Sequence, residues 1–390
     1  MTKRDITAGV IAAAVVLTAS LHLGAQSTTP ARPATATPAA QPAQAPKPAA
    51  TATTGWTKKT AWGDPDLQAI WNNGTSTPMQ RDKKYGTRAE LTQEEYIDAA
   101  RQAAVRQQGE TEEQRARPGN VGAGPTFWYE VGKPSKATSL IVDPPDGQQP
   151  AITDQLRAQQ AERGRLLTPE GMKLDDSLWK MQGEWVRCVS RGLPAGMTPV
   201  VYNNNFQIFQ APGVVVVLEE MVHQSRIIYT DGRPHLNAAI RQWEGDARGH
   251  WEGNTLVVET TNFRPDSEPL WPGRNGTVMG APYKVTERFT RTSATDLDYR
   301  WTLDAPSMFT RPFTASIPAN TIAASDRIME YACIEGDNSA RLTITGLISE
   351  KQRGVKSDAG AGRGGRGGGA PAGAPGGGGR GGRGGIGGEE

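Results

Sequence analysis

Hydrophobic and polar positions alternate over short stretches in the second half of the chain, from about residue 203 onward. These stretches are rich in valine, isoleucine, threonine and aromatic residues, and turn signals such as Pro212-Gly213 separate them. The pattern is typical of β-strands joined by short connections. Strands are predicted over residues 206–210, 214–222, 225–229, 239–243, 248–251, 255–263, 283–291, 297–303, 309–317, 327–333 and 340–348. We therefore expect a mainly β fold, an antiparallel meander that closes into a barrel or a sandwich.

The pattern in the first half of the chain is helical in places. Thr92 followed by Glu95 is the sequence signature of a capping box, and alanines follow at helical spacing, so a helix is predicted over residues 91–114. Two shorter helices are predicted over residues 152–167 and 178–185.

The rest of the first half has few regular elements. A short strand is predicted over residues 139–142, and residues 55–88 combine tryptophans with turn residues, which indicates irregular chain that lays its aromatic side chains on the main body. We expect residues 56–200 to form a helical and irregular arm that packs on a β-barrel domain of residues 201–350.

The N-terminus has the features of a secretory signal over residues 1–25: two basic residues, an apolar run over residues 8–21 and small residues at a cleavage point. The apolar run is shorter than the roughly 20 residues that span a bilayer, so we expect no stable membrane insertion. The alternative is an uncleaved N-terminal anchor. The signal predicts a periplasmic or secreted protein.

Composition then separates two further segments from the fold. Residues 26–55 are mostly proline, alanine and threonine and predict a linker, while residues 351–390 are dominated by glycine with scattered arginines and predict a disordered tail. Arg-Gly-Gly repeats also occur in RNA-binding tails, but the formal net charge is only +2 and the tail lacks aromatic residues, so we expect no nucleic-acid partner.

The chain has two cysteines, Cys188 and Cys333. Because an exported chain meets an oxidising compartment, we predict a disulfide between them. The alternative is a pair of buried thiols too far apart to bridge. No CxxC motif is present, so a redox or thiolate metal site is disfavoured.

Three of the four histidines, and several arginines and carboxylates, fall within residues 202–263. A histidine or a mid-strand glutamate can act as a general base, and arginines can hold anions through paired N–H donors. The candidate catalytic residues are His223 and Glu259. The candidate ligand-binding residues are Arg226, His235, Arg241 and Asp246. The alternative is that these groups form internal ion pairs and structural hydrogen bonds.

Other chemistry is poorly supported by the sequence. HxH and HExxH motifs are missing, as is a P-loop, and the only GxGxxG matches lie in the glycine-rich tail. We therefore predict no metal site and no cofactor. Oligomeric state is left open.

The body of the chain contains several longer motifs: AWGDPDLQAIWN, TSLIVDPPDG, EMVHQSRIIYTDGRPH, RQWEGDARGHWEGNTLVVETTNF, ERFTR and YACIEGDN. Together they resemble the motifs of an uncharacterised family of exported bacterial proteins, and the resemblance runs from about Trp56 to Ile348. It implies export and a single folded body, but it carries no established activity. It also implies that one motif contains His223, Arg226, His235, Arg241 and Asp246. Members of the family place a histidine after the last cysteine, where this chain has Ile334.

The sequence leaves three functions open. The first is a lipocalin-like protein that binds an amphipathic or anionic small molecule in its barrel. The second is a metal-independent hydrolase or lyase with a histidine or glutamate base and arginines that stabilise the developing anion. The third is a cell-surface interaction protein that uses exposed tryptophans such as Trp56 and Trp71.

Overall fold

The computed structural model describes residues 55–107, 130, 132–166, 168, 170–171, 184–185, 187–200, 202–264, 282–323, 325–333 and 339–354. The predicted signal segment, nearly all of the predicted linker and tail, and most of the predicted helix at 178–185 lie outside the described residues. All the described residues belong to one unit of the chain, which begins at Ala52.

Ten strands form one sheet in the described part of the chain. Two come from its first half and eight from its second half. The strands are β1 (Ala69–Asn72), β2 (Ile141–Asp143), β3 (Asn205–Ala211), β4 (Val214–Glu219), β5 (Ser225–Tyr229), β6 (Asp246–Glu252), β7 (Thr255–Thr261), β8 (Lys284–Arg291), β9 (Asp296–Asp304) and β10 (Phe313–Thr321).

The sheet closes on itself through β1. Trp71 on β1 pairs with Phe206 on β3 and with Thr321 on β10, so the strand order β1-β3-β4-β5-β6-β7-β8-β9-β10 returns to β1. The short strand β2 pairs with the other half of β10, beside Thr314 and Ala315. The predicted mainly β fold is therefore confirmed as a closed nine-stranded barrel. The strand that closes it lies in a segment where only irregular chain was predicted.

One neighbouring pair in the barrel is parallel. The prediction of a strand at 239–243 is wrong: only Gln242 makes a bridge there, to Phe263. The connection from β5 to β6 therefore returns along the barrel without pairing as a strand. As a result β6 starts at the same end of the barrel as β5, and Tyr229 pairs with Arg248 in parallel. The other neighbouring strands are antiparallel, as the meander predicts.

The described residues contain three α-helices: α1 (Gln93–Gln107), α2 (Asp154–Leu166) and α3 (Ser339–Gln352). The capping box before α1 is present, since Thr92 N–H donates to Glu95 Oε2 at 2.7 Å and Glu95 N–H donates to Thr92 Oγ1 at 3.2 Å. Strands were predicted at 327–333 and 340–348, and both predictions are wrong. Both sides of β10 are already paired with β9, β1 and β2, so the sheet has no free edge there to receive them.

Inward positions alternate along each strand and fill the barrel with hydrophobic side chains. The largest are aromatic, and Trp71, Phe289, Tyr299 and Trp301 are all completely buried. Trp301 packs edge-on against Phe313 with ring centroids 5.5 Å apart. The barrel is therefore packed through its middle, and a ligand site has to be sought at its ends or on its wall.

The two predicted cysteines are bonded. Cys188 and Cys333 form a disulfide with a Cα–Cα distance of 5.8 Å, across 145 residues of sequence. The bond joins the segment before β3 to the segment after β10, and both segments lie outside the strands. Among the described residues, no helix has the length and apolar character needed to cross a membrane.

Candidate functional site

An irregular turn decides which charged side chains enter the barrel. Glu219 ends β4 and Arg226 lies on β5, and strict alternation along one extended strand would place them on opposite faces. The 3-10 turn Met221–His223 interrupts the alternation, with φ of 64° at Val222 and 41° at His223. A positive φ is costly for a β-branched residue, so this turn is strongly specified by its surroundings. As a result both Glu219 and Arg226 point inward and are buried.

Arg226 is the centre of a buried charge cluster. Its Nη1 and Nη2 donate to the two oxygens of Glu287 at 2.8 and 3.0 Å, and its Nε donates to Glu219 Oε1 at 3.1 Å. Tyr299 donates its hydroxyl proton to Glu287 Oε1 at 2.9 Å. Burial alone would lower the pKa of Arg226, but the two carboxylates raise it instead. Every nitrogen of this guanidinium has an acceptor, so the cluster behaves as an internal structural network.

A polar pocket opens beside this cluster at one end of the barrel. Its empty space is about 240 Å³ when the open mouth is counted. The centre of a water molecule can be placed in only about 10 Å³ of this space. The main polar groups of its lining are Asn73, Arg191, Asn203, Asn204 and Glu219. We call this space the end pocket.

Arg191 is the cation of the end pocket. It is 4% exposed, and its Nε has no hydrogen-bond acceptor. Burial lowers the pKa of Arg191, and the charge of Glu219 acts in the opposite direction. A buried guanidinium without an acceptor is costly, because its desolvation is not offset by a paired charge.

Glu219 supplies the carboxyl group of the end pocket. Oε1 is bonded to Arg226, while Oε2 faces Gly196, where a Cβ atom would come within 2.3 Å of it. Burial raises the pKa of Glu219 to about 7, although Arg226 and Arg191 both act to lower it. The group therefore changes its protonation state near neutral pH, with Oε2 as the oxygen left to carry the proton.

Asn73 supplies an acceptor. It is 3% exposed, its Nδ2 donates to the Met197 carbonyl at 3.0 Å, and its Oδ1 has no donor. The end pocket thus presents the carboxyl group of Glu219 beside two buried atoms without hydrogen-bond partners, Arg191 Nε and Asn73 Oδ1. Buried polar groups in proteins are nearly all paired, so two unpaired atoms around one cavity indicate a binding site.

The mouth of the end pocket is held in place by a carboxylate of the chain itself. Glu130 accepts hydrogen bonds from the backbone N–H of Asn203 at 2.8 Å and of Asn204 at 3.1 Å, and from Asn204 Nδ2 at 2.9 Å and Asn72 Nδ2 at 3.1 Å. Asn203 has a φ of 57°, which turns successive N–H groups toward one point. The rim is therefore fixed before any ligand arrives.

The wall that carries Arg191 is fastened from two sides. Cys188, three residues before Arg191, is bonded to Cys333, and the carbonyl of nearby Tyr331 lies 2.8 Å from His223 Nδ1. Ser190 donates to Glu244, and burial raises the pKa of that carboxyl group. The disulfide thus anchors a wall of the end pocket and leaves the strands untouched.

The predicted site residues form a different cluster on the outer wall. His235 Nδ1 lies 2.8 Å from Asp246 Oδ2, and His235 Nε2 lies 3.6 Å from Glu259 Oε1. Lys284 donates to Glu259 at 3.0 Å, and Arg248 Nη1 forms an ion pair with Asp246 Oδ1 at 2.7 Å. These contacts tie the β5–β6 connection to β6, β7 and β8.

The remaining predicted residues lie apart from this cluster. Arg226 is inside the barrel, while His223 and Arg241 are exposed. The structure therefore brings His235, Asp246 and Glu259 together but does not join them to His223, Arg226 or Arg241. None of the six lines the end pocket.

Three residues of the end pocket were not singled out from the sequence as site residues. Glu219 had a detectable signal, because it shares strand parity with Val215 and Val217 in a strongly apolar run. Arg191 had a weaker one, a lone cation between Cys188 and an apolar stretch. Asn73 has no local signal, since only the closure of the barrel through β1 brings it there.

A second concavity lies on the outer wall beside β2, β9 and β10. Its volume is about 660 Å³ on the measure that gives about 240 Å³ for the end pocket, and its polar lining includes Asp296, Asp298 and Ser316. Its carboxylates are bonded to neighbours such as Ser316, at 2.9 Å from Asp298, and Asn320, at 2.7 Å from Asp296. It therefore lacks the unused polar groups that distinguish the end pocket.

Comparison of the chain with family models, with curated proteins and with solved structures gave no match. The resemblance to an exported bacterial family stays a prediction. The functional argument rests on the geometry of the end pocket.

Proposed function

We propose that this protein binds a small anionic molecule at one end of its β-barrel, in the end pocket. The observation that carries the proposal is Arg191, a guanidinium buried to 4% exposure whose Nε has no acceptor, in the lining of a polar cavity. An anion would supply the missing acceptors and the missing countercharge.

The size and lining of the end pocket limit the kinds of ligand that it can bind. Drug-sized ligands occupy cavities of roughly 300–1,000 Å³, whereas the comparable volume of the end pocket is only about 10 Å³, so only a very small molecule or the end group of a larger one can enter it. The lining is mainly amide, guanidinium and carboxyl groups. An anionic ligand is thus preferred over the amphipathic ligand that the sequence left open, because the middle of the barrel is filled by its own aromatic side chains.

Export to the periplasm or to the outside of the cell is part of the same proposal. The Cys188–Cys333 disulfide supports it, because such bonds persist in oxidising compartments. A role as an interaction protein through exposed Trp56 and Trp71 is less favoured, because Trp71 is fully buried and Arg291 lies 4.0 Å from the ring centroid of Trp56.

The proposal is tested by thermal shift and native mass spectrometry with a panel of small anions. Wild-type protein should gain stability from at least one anion, as any ligand of the folded state provides. The variant Arg191→Met should lose that gain, while Arg233→Gln, which removes an exposed partner of Asp231, should retain it. If no anion affects wild type more than Arg191→Met, the proposed binding function is wrong.

A second candidate function, a metal-independent hydrolase or lyase, is favoured by the pKa of about 7 for Glu219. A carboxyl group that titrates near neutral pH beside a guanidinium is a suitable pair for general acid–base chemistry and anion stabilisation. In this case Glu219→Gln should reduce turnover of a cleaved substrate about 10²-fold or more. The outer-wall candidates are tested by His235→Ala, which should leave turnover unchanged if the end pocket is the active site.

A further inference from the structure

The end pocket holds an unbalanced set of charges. The groups that face Glu219 are Arg226 from β5, Glu287 from β8, Glu244 from the β5–β6 connection and Arg191 from the segment before β3. With all of them ionised, two guanidiniums face three carboxylates. Arg226 already has carboxylate acceptors on all three nitrogens, which leaves Arg191 as the cation for a ligand.

An anion that enters alone adds a fourth negative charge to this buried set. Uncompensated charges of one sign are expensive in a low-dielectric interior. A proton that arrives with the anion removes this cost, and Glu219 Oε2 is the oxygen of the set that lines the end pocket and is not bonded to a guanidinium. The entering anion and its proton are together neutral, so the charge of the site is unchanged.

We propose that the end pocket binds the carboxyl group of a small organic acid and takes up one proton with it, the guanidinium of Arg191 holding the carboxyl group and the carboxyl of Glu219 holding the proton. This inference rests on the proposed binding function and specifies its ligand class. No covalent bond is made or broken; one proton moves from solvent to the buried site when the ligand binds.

The hydrogen-bonding groups of the end pocket favour a carboxyl group over sulfate or a phosphate ester. A planar carboxyl group matches the edge of a guanidinium, and it is smaller than a tetrahedral sulfate or phosphate group. Asn73 Oδ1 requires a donor, which the hydroxyl of a hydroxy acid can provide beside its carboxylate. Sulfate offers no donor near neutral pH.

The pH dependence follows from Glu219. Its pKa of about 7 in the free protein should rise further when a carboxylate lies beside it, because like charges disfavour the charged form. Below pH 7 the proton is already in place and affinity is constant. Above pH 7 the proton has to be taken up on binding, so Kd should rise about tenfold for each pH unit.

The experiment is isothermal titration calorimetry of the full chain with acetate and with lactate as probes, between about pH 5.5 and 8.5. Runs at about pH 7.5 in buffers of different ionisation heat give the number of protons taken up per ligand, which needs no variant. Sulfate and acetamide are the comparison probes, since the first is a tetrahedral anion without a planar carboxylate and the second has no charge. Glu219→Gln should bind with a Kd that no longer depends on pH, and Arg233→Gln should behave as wild type.

The outcomes separate the two proposals. Uptake of close to one proton above pH 7, with acetate or lactate bound more tightly than sulfate, supports the inference. Arg191-dependent binding of any anion without proton uptake, or with sulfate preferred, overturns the inference and leaves the binding function standing. Binding of carboxylates that Arg191→Met does not weaken overturns the inference as well, because the ligand then lies elsewhere.

Discussion

Two buried arginines lie in neighbouring parts of this barrel, and their surroundings differ. Arg226 is 3% exposed and Arg191 is 4% exposed, so both are removed from water to the same degree. Each nitrogen of Arg226 has a carboxylate acceptor, whereas Nε of Arg191 has none. The two arginines are therefore equally buried but differ in how completely their nitrogens are hydrogen-bonded.

This difference in pairing indicates a structural role for Arg226 and a ligand-binding role for Arg191. A buried ion pair that is fully hydrogen-bonded holds parts of a fold together, here β4, β5, β8 and β9 through Arg226 and its partners. An unpaired buried charge lowers stability, and a fold keeps such a charge where a ligand completes it. The comparison predicts that substitution of the two arginines changes stability in opposite directions.

The largest expected effect is at Arg226. Arg226→Met should lower the free energy of unfolding by about 3–5 kcal/mol, because Glu287 would remain buried without its countercharge. Urea denaturation followed by tryptophan fluorescence measures this, with Arg288→Met, which removes a partner of the half-exposed Glu252, as a matched control. A loss of under about 1 kcal/mol would show that the cluster is not the structural network inferred from its geometry.

The Cys188–Cys333 disulfide distinguishes the surroundings of the two arginines, because it holds the segment that carries Arg191 and does not involve the strand that carries Arg226. Replacement of Cys188 and Cys333 by serine should lower the free energy of unfolding by about 2–5 kcal/mol, since the bond closes a long loop in the unfolded chain. Anion binding should weaken at the same time, while circular dichroism of the barrel stays unchanged. Anion binding as tight as in wild type would show that the end pocket does not depend on this wall.

Glu219 accepts a hydrogen bond from Arg226 and also lines the end pocket with Arg191. Its titration should make the free energy of unfolding depend on pH. Burial in the folded state raises its pKa from the ordinary value of 4.5 to about 7, so the folded state binds more protons and stability falls as pH rises through that interval. The contribution is at most about 3 kcal/mol. Glu219→Gln should remove this part of the slope, as measured by urea denaturation between pH 4.5 and 7. Parallel curves for the two proteins would contradict the assignment.

The smallest expected effect has the opposite sign to the first. Arg191→Met should raise the free energy of unfolding by about 1–2 kcal/mol in the absence of ligand, because it removes a buried charge whose Nε has no hydrogen-bond acceptor. The same denaturation experiment compares it directly with Arg226→Met. A destabilisation as large as that of Arg226→Met would mean that Arg191 is paired and that the contrast between the two arginines is mistaken.

The strand pattern was largely predictable from the sequence, and the exceptions have physical causes. Alternation along 284–291 places Val285, Glu287 and Phe289 on one face, and all three are buried. The same reasoning misplaces Arg226 relative to Glu219, because two positive φ values in the turn Met221–His223 shift the alternation by one position. Val222 is β-branched and disfavours that conformation, so the sequence does not mark the turn there.

By itself the sequence determined the mainly β class, the α1 capping box and, from a predicted export signal and the cysteine count, the disulfide. These depend on short-range periodicity, on neighbouring residues or on chemistry that composition reveals. Only the tertiary structure decided the site, because Asn73, Arg191 and Glu219 come from three distant parts of the chain and meet where β1 closes the barrel and the disulfide fastens the wall. Whether a buried charge is paired depends on which residues surround it in space, and the order of residues along the chain does not contain that information in readable form.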